Sequence, residues 1–149
     1  MPNFADNRKA HFEYEIIDTF EAGISLTGGE VKSVRNGGAK LAGSFVVVKP
    51  SGAVLLNAHI ARYKNASQNI LHTADRTRDL LLAKREIHNL REKLQTKGLT
   101  IVPLSLYPKG RLIKLKIALV KGKKQYDKRA TLRKRDTDRE IKRALKRAR

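Results

Sequence analysis

The chain has 149 residues, and its 33 lysines and arginines outnumber 14 aspartates and glutamates, which gives a net charge of +19 at pH 7. This length supports one hydrophobic core, and the charge indicates a polyanionic partner such as nucleic acid. The sequence has no cysteine, no signal peptide and no apolar run of membrane-spanning length. These features exclude disulfides, thiolate metal sites and a transmembrane helix, so we expect a cytoplasmic protein without a membrane partner.

The first predicted element is a strand. After a loose arm of six residues, apolar and acidic side chains alternate over residues 12–17, which is the period of a half-buried strand. Residues 20–26 would continue the same sheet after a bend.

A short helix follows this strand. Thr27 and Glu30 have the spacing of a capping box, which predicts a helix that begins after Thr27 and ends at Arg35. Val34 would face the core, whereas Lys32 and Arg35 would share an outward side.

The middle of the chain is predicted to form a hairpin and then a long helix. Residues 45–49 and 53–58 read as strands joined by a turn that contains proline and glycine. A helix is predicted over residues 78–97. Leu81 falls almost opposite the apolar stripe of this helix, so we expect it to be an exposed leucine. The stripe consists of Leu80, Ala83, Ile87, Leu90 and Leu94.

A second hairpin closes the ordered part of the chain. Its predicted strands are residues 99–107 and 112–120, and Pro103 indicates a bulge or an edge in the first of them. Apolar side chains of the second strand would face the core, whereas Lys114 and Lys116 would face outward.

Together these elements predict a mainly β fold, a small antiparallel β-barrel of the oligonucleotide-binding type with two to three helices. We assign residues 1–120 to this RNA-binding barrel and residues 121–149 to a basic tail. The tail has 14 basic and 4 acidic residues, so it carries +10 of the total charge. It cannot bury enough apolar surface to fold alone, and we expect it to be disordered when free and helical on a polyanion. The alternative is a tail that only keeps the protein soluble.

The sequence offers little for catalysis. Its four histidines lack the spacing of metal ligands, and it contains neither a nucleophile elbow nor a phosphate-binding loop. The acidic cluster of Glu13, Glu15, Asp18 and Glu21 leaves open a Mg²⁺-dependent nuclease as an alternative. We predict a binding protein rather than an enzyme, with no metal and no cofactor.

The aromatic and basic residues favour a folded RNA as the ligand. Only a few aromatic side chains are candidates for stacking on bases, namely Phe4, Tyr63, Tyr107 and Tyr126, whereas single-strand binders usually carry more. Charge that is spread over several elements suits recognition of RNA by shape and backbone. A ribosomal protein or assembly factor would share a small barrel with a basic extension, and it is the main alternative.

Several sequence blocks occur in the order and spacing of a known family, from Asn7 to the end of the chain. In these blocks the chain resembles the SsrA-binding protein family, also called small protein B. The resemblance implies a barrel that binds the tRNA-like domain of transfer-messenger RNA. The blocks are Asn7-Arg8-Lys9-Ala10; Phe20-Glu21-Ala22-Gly23; Gly28-x-Glu30-Val31-Lys32-Ser33-Val34-Arg35; Arg76-x-Arg78-x-Leu80-Leu81-Leu82; Val102-Pro103-Leu104-Ser105-Leu106-Tyr107-x-Lys109; and Lys121-Gly122-Lys123-Lys124-x-Tyr126-Asp127-Lys128-Arg129.

The resemblance also implies a role on the ribosome. Protein and RNA together would enter the A site of a stalled ribosome, with elongation factor Tu delivering the charged RNA. Translation would then switch to a tag-encoding frame, which is trans-translation. The implied partners are transfer-messenger RNA, the small-subunit ribosomal RNA and, through the charged RNA, elongation factor Tu, with one protein monomer per RNA.

Three residues match the family's contacts to transfer-messenger RNA: Glu21, Leu81 and Lys114. Lys114 would pair with a phosphate, Leu81 would pack against a sugar or base, and Glu21 would accept from a base amino group or a 2′-hydroxyl. Burial of Leu81 against a loop and pairing of Glu21 with an arginine are the structural alternatives. The further basic candidates for RNA contact are Lys32, Arg35, Arg78, Arg85 and Lys116.

In the tail, the resemblance implies contacts to the decoding centre and to the empty mRNA channel. Tyr126 occupies a position where the family often carries histidine, and we predict that its ring stacks on a ribosomal base. Gly122 would give the turn from barrel to tail. The predicted tail contacts are Lys121, Gly122, Lys123, Lys124, Tyr126, Asp127, Lys128, Arg129, Arg133, Lys134 and Arg135.

Overall fold

The computed structural model describes residues 3–63 and 72–122. Within these residues the chain forms nine strands and three short helices, so the predicted mainly β class is confirmed. The strands are β1 (Ala5–Asp6), β2 (Tyr14–Ile24), β3 (Ala39–Lys40), β4 (Phe45–Lys49), β5 (Gly52–Leu56), β6 (His59–Ile60), β7 (Arg78–Leu81), β8 (Leu99–Lys109) and β9 (Leu112–Gly122). The helices are α1 (Arg8–Glu13), α2 (Gly28–Arg35) and α3 (Lys84–Lys93).

The main sheet is antiparallel and closes on itself. Its strand order is β1-β8-β4-β5-β7-β2-β9, and β8 also pairs with β9. Six strands therefore form a ring, and β1 is attached to β8. β3 and β6 form a separate two-stranded sheet. Closure pairs both sides of each ring strand, so the long strands β2, β8 and β9 hold their side chains in fixed register.

Apolar clusters lie on both sides of β9. Leu115 and Ile117 belong to the main core inside the ring. On the outer side, Ala118 and Val120 pack with Ala10 of α1. α1 therefore covers the C-terminal half of the outer surface of β9. The N-terminal half, which carries Lys114 and Lys116, remains accessible.

The strand predicted at residues 12–17 is wrong in its first part, because Arg8–Glu13 form α1. Asn7 caps this helix: its side-chain oxygen accepts from the amide of Ala10 at 3.3 Å. The Asn7 side-chain amide also donates to the carbonyl of Pro103 at 2.8 Å, which ties α1 to β8. The local alternation of side chains gives no indication of this long-range hydrogen bond.

The helix predicted over residues 78–97 is also wrong in its N-terminal part. Arg78–Leu81 form strand β7, which pairs with β5 and β2, and α3 covers only Lys84–Lys93. Leu80 and Leu90 are buried as predicted, but the first belongs to a strand, and Ala83 of the predicted stripe is exposed at the start of α3. Pairing with two neighbouring strands here overrides a helical period in the sequence.

The local signals elsewhere are confirmed. The Thr27 hydroxyl accepts from the amide of Glu30 at 3.2 Å, and the Glu30 carboxylate accepts from the amide of Thr27 at 2.9 Å, which completes the capping box of α2. The β8–β9 hairpin forms, with its register shift between Pro103 and Ser105. Gly110 in its turn has a φ of 60°, a conformation that favours glycine. Among the helices of the described residues, none is long and apolar enough to cross a bilayer.

Candidate nucleic-acid interface

Four adjacent strands place candidate residues in one row across the outside of the ring. Leu81 on β7 pairs with Gly23 on β2, Gly23 pairs with Lys114 on β9, and Lys114 pairs with Tyr107 on β8. Residues that pair directly across antiparallel strands project from the same side of a sheet. Leu81, Lys114 and Tyr107 therefore share one outer surface.

Glu21 and Lys116 extend this surface by a second row. Glu21 lies two residues before Gly23 on the same side of β2, and it pairs with Lys116 on β9. We call this surface the β2 face, and we define it by Glu21, Leu81, Tyr107, Lys114 and Lys116. The structure thus brings together four of the eight predicted RNA contacts, from three strands that are far apart in sequence.

Leu81 is exposed, as predicted, with 66% of its surface accessible. The reason differs from the predicted one. In β7 the side chains alternate between buried Arg78 and Leu80 and exposed Asp79 and Leu81, so Leu81 points outward from a strand and not from the back of a helix. The alternative that Leu81 is buried against a loop is excluded.

Glu21 has two hydrogen-bond donors on the β2 face. The Tyr107 hydroxyl donates to Glu21 Oε2 at 2.6 Å, and Lys109 Nζ donates to Glu21 Oε1 at 2.8 Å. The bonds from Lys109 and then Tyr107 lower the pKa of Glu21. Burial, followed by the hydrogen bond to Glu21, raises the pKa of Tyr107 to about 12. A fixed, ionised carboxylate with further acceptor capacity results.

The sequence analysis leaves open an arginine as the structural partner of Glu21, whereas its two partners are Tyr107 and Lys109. Neither was singled out as a neighbour of Glu21. Two features of the sequence point to Tyr107. The alternation of β9 predicts that Lys114 faces outward, and the pairing of the β8–β9 hairpin places Tyr107 beside Lys114. Reading both strands in register would have located Tyr107.

Arg78 is removed from the predicted RNA contacts, because its side chain is completely buried. Its Nε donates to Glu30 Oε2 at 2.8 Å, and its remaining nitrogens donate to the carbonyls of Ala58, Arg76 and Ala74. A guanidinium whose donors all point inward cannot reach an external phosphate. Arg78 is a structural residue that joins β7 to α2 and to the segment after β6.

The other basic candidates lie outside the rows of the β2 face. Lys32 and Arg35 are exposed on α2, where Lys32 Nζ lies 5.6 Å from the ring centroid of Tyr63. The Arg35 guanidinium lies 5.7 Å from the ring of Phe4, and it donates to the carbonyl of residue 111 at 3.0 Å. Arg85 is exposed in the first turn of α3.

Only the start of the predicted tail contacts falls within the described residues. Lys121 and Gly122 are exposed at the end of β9, where they pair with Glu15 and Tyr14 of β2. The other predicted contacts lie outside the described residues: Lys123, Lys124, Tyr126, Asp127, Lys128, Arg129, Arg133, Lys134 and Arg135.

Three of the four residues of the predicted acidic cluster form ion pairs with separate lysines. Lys9 lies 3.8 Å from Glu13, Lys93 lies 3.3 Å from Asp18, and Lys109 binds Glu21. Across residues 3–63 and 72–122, no three acidic or histidine side chains are grouped so that they could hold a metal ion.

Comparison with known proteins places the chain in a family. The family model described as "SmpB protein" matches residues 4–147. The chain belongs to the SmpB family. Relatives named SsrA-binding protein include that of Rubrobacter xylanophilus, 50% identical over 98% of this chain and 97% of its own length, and that of Azotobacter vinelandii, 51% identical over 97% and 90%. The SsrA-binding protein of Acaryochloris marina is 48% identical over 96% and 93%.

A solved structure agrees with this assignment to the SmpB family. It is described as "tmRNA-SmpB: a journey to the center of the bacterial ribosome", and its matching chain is 40% identical with a TM-score of 0.68. The match covers 86% of this chain and 93% of the solved one. The ring and its helices are therefore those of an SmpB fold.

Proposed function

We propose that the chain binds the tRNA-like domain of transfer-messenger RNA and brings it to stalled ribosomes for trans-translation. The observation that carries this proposal is the β2 face, where Glu21, Leu81 and Lys114 meet from three different strands. Relatives named SsrA-binding protein and a solved structure named for tmRNA, SmpB and the ribosome support it.

The β2 face offers three kinds of contact. Lys114 and Lys116 neutralise phosphates, which supplies affinity without sequence preference. Leu81 packs its exposed side chain against a sugar or an unstacked base. Glu21 accepts a hydrogen bond from a base amino group or a 2′-hydroxyl, and two donors fix its position for this purpose. Selectivity therefore resides in Glu21 and Leu81.

The function on the ribosome follows from the same proposal. The chain acts as a binding protein without a cofactor, one monomer per RNA, in the cytoplasm. The complex enters the A site with elongation factor Tu, and residues 121–149 probe the decoding centre and the empty mRNA channel. The charge of these residues, 14 basic against 4 acidic, supports their contact with ribosomal RNA.

The binding step is tested by the affinity for the tRNA-like domain and for an ordinary tRNA at several salt concentrations. Wild type should prefer the tRNA-like domain, and Leu81→Ala should weaken that binding about tenfold with an unchanged salt slope, because no charge is lost. Ile17→Ala is the matched control, since Ile17 is an exposed apolar residue of β2 outside the β2 face. Equal, steeply salt-dependent binding to both RNAs would overturn the proposal in favour of a general basic RNA binder.

The ribosomal step is tested by deletion of residues 130–149. The truncated protein should bind the tRNA-like domain nearly as wild type does, because the β2 face is intact, yet it should not support tagging on stalled ribosomes. Equal loss of RNA binding and tagging would contradict this division of labour.

A further inference from the structure

Leu112 is a second leucine that the proposed contacts leave unexplained. Its side chain is 60% exposed and that of Leu81 is 66% exposed, and the other exposed large apolar side chains of the described residues do not exceed 49%. An exposed leucine costs the free protein favourable burial, so two of them near one another on a basic surface indicate a contact site.

Strand register places Leu112 on the same outer surface as Leu81, one side-chain position further along the sheet. Leu112 lies two residues before Lys114 in β9, so both side chains project outward. Leu81 lies on β7, on the other side of β2. Leu81 is in register with Lys114 through Gly23, so Leu112 is offset from Leu81 by two strand spacings and by two residues along β9, roughly 12 Å in all.

Gly23 lies directly between Leu81 and Lys114, and Leu112 follows diagonally beyond it. A Cβ at Gly23 would lie 3.1 Å from Leu81 Cβ and 3.3 Å from Leu81 Cδ1, so Leu81 leans over the glycine. The φ of Gly23 is not positive, so its backbone conformation is open to any residue. The missing side chain therefore serves the shape of the surface. We call Leu81, Gly23 and Leu112 the leucine trough.

We propose that the leucine trough holds one unstacked nucleotide of the RNA, with Lys114 at its phosphate. A nucleotide combines an apolar base or sugar face with an anionic phosphate, and the trough combines two leucines with an adjacent lysine. The surrounding charge supports RNA as the occupant, because Lys109 and Lys116 flank the same rows. This inference rests on the proposed function and adds Leu112 and Gly23 to its binding site.

The test measures binding of the full chain to the tRNA-like domain for wild type, Leu112→Ala, Leu81→Ala and the double variant, with Ile17→Ala as the control. Leu112→Ala should bind about tenfold more weakly at an unchanged salt slope, whereas Ile17→Ala should bind as wild type does. If both leucines contact one nucleotide, the double variant should lose less than the product of the two single losses. Thermal unfolding should show the same midpoint for all, because the replaced side chains are exposed.

Gly23→Ala provides a second, independent test of the leucine trough by RNA binding. The added methyl narrows the trough and pushes Leu81 aside, so binding should weaken while the protein remains folded. Wild-type affinity in Leu112→Ala, or independent and multiplicative losses for the two leucines, would overturn the trough while Leu81→Ala still supports the proposed function. Loss of preference for the tRNA-like domain already in wild type would instead defeat the proposed function itself.

Discussion

Glu21 and Glu30 are two carboxylates that each bind two donor side chains, but in opposite surroundings. Each accepts from two side chains, Tyr107 and Lys109 for Glu21 and Arg76 and Arg78 for Glu30. Glu30 is 2% exposed, whereas Glu21 lies on the surface. A buried charge that loses its partner is strongly destabilising, whereas an exposed pair contributes little to stability. We therefore expect substitution of Glu30 to lower the free energy of unfolding and substitution of Glu21 to lower the affinity for RNA.

The largest expected effect is on stability, from Glu30→Gln. Glutamine preserves the capping geometry of α2, but it leaves the buried Arg78 guanidinium without a counter-charge. The free energy of unfolding in urea should fall by about 3–5 kcal/mol. Glu21→Gln is the matched control and should leave the urea midpoint unchanged. Equal urea midpoints for the two variants would contradict the proposal that Glu30 stabilises the fold and Glu21 does not.

A second prediction uses acid to weaken the buried pair. Burial raises the pKa of Glu30, but hydrogen bonds from Arg76, the Thr27 amide and Arg78 outweigh burial and lower the pKa from 4.5 to about 2. Because the folded-state pKa is lowered, the stabilisation is complete above the unfolded value of 4.5 and is lost as the pH falls towards 2. This loss amounts to about 3 kcal/mol.

Urea unfolding measured from neutral pH down to about pH 3 tests this slope. Wild type should lose stability more steeply than Glu30→Gln, which has no carboxylate to protonate at this position. Parallel pH profiles for the two proteins would show that the Glu30 pair does not contribute in the manner proposed.

The sequence predicted those parts of the structure that depend on neighbours in the chain. The capping box of α2 joins Thr27 to Glu30, and the β8–β9 hairpin joins strands across a short turn. Both signals lie within a few residues, so tertiary contacts had little opportunity to override them. The exposure of Leu81 was also predicted, because Leu81 falls outside the buried positions of its segment both in the predicted helix and in the observed strand.

The parts that sequence reasoning missed depend on distant partners. Arg78 and Glu30 are 48 positions apart, and nothing in the local pattern marks this arginine as the buried one. Strand β7 has four residues, too few for its alternation to compete with a longer helical period. Glu21 and Tyr107 are 86 positions apart, so their bond depends on the registers of β2, β9 and β8 together.

The exposed carboxylate is tested by Glu21→Gln. If Glu21 accepts a hydrogen bond from the RNA, the affinity for the tRNA-like domain should fall about tenfold, although removal of a negative charge favours RNA binding in general. Binding to an ordinary tRNA should therefore be unchanged or tighter. Glu15→Gln on the same strand, where Glu15 pairs with Lys121, is the matched control. Tighter binding to both RNAs would mean that Glu21 acts only through its charge.

The smallest expected effect on RNA affinity is that of Tyr107→Phe, which tests whether the Tyr107 hydroxyl positions Glu21. The ring remains, so any stacking is retained, but Glu21 loses one of its two donors. Affinity for the tRNA-like domain should fall about threefold, the value of one modest hydrogen bond. If Tyr107 acts only through the carboxylate, adding Tyr107→Phe to Glu21→Gln should cause no further loss. A further loss in the double variant would instead indicate that the hydroxyl contacts the RNA directly, and Tyr107 would then be a binding residue of the β2 face in its own right.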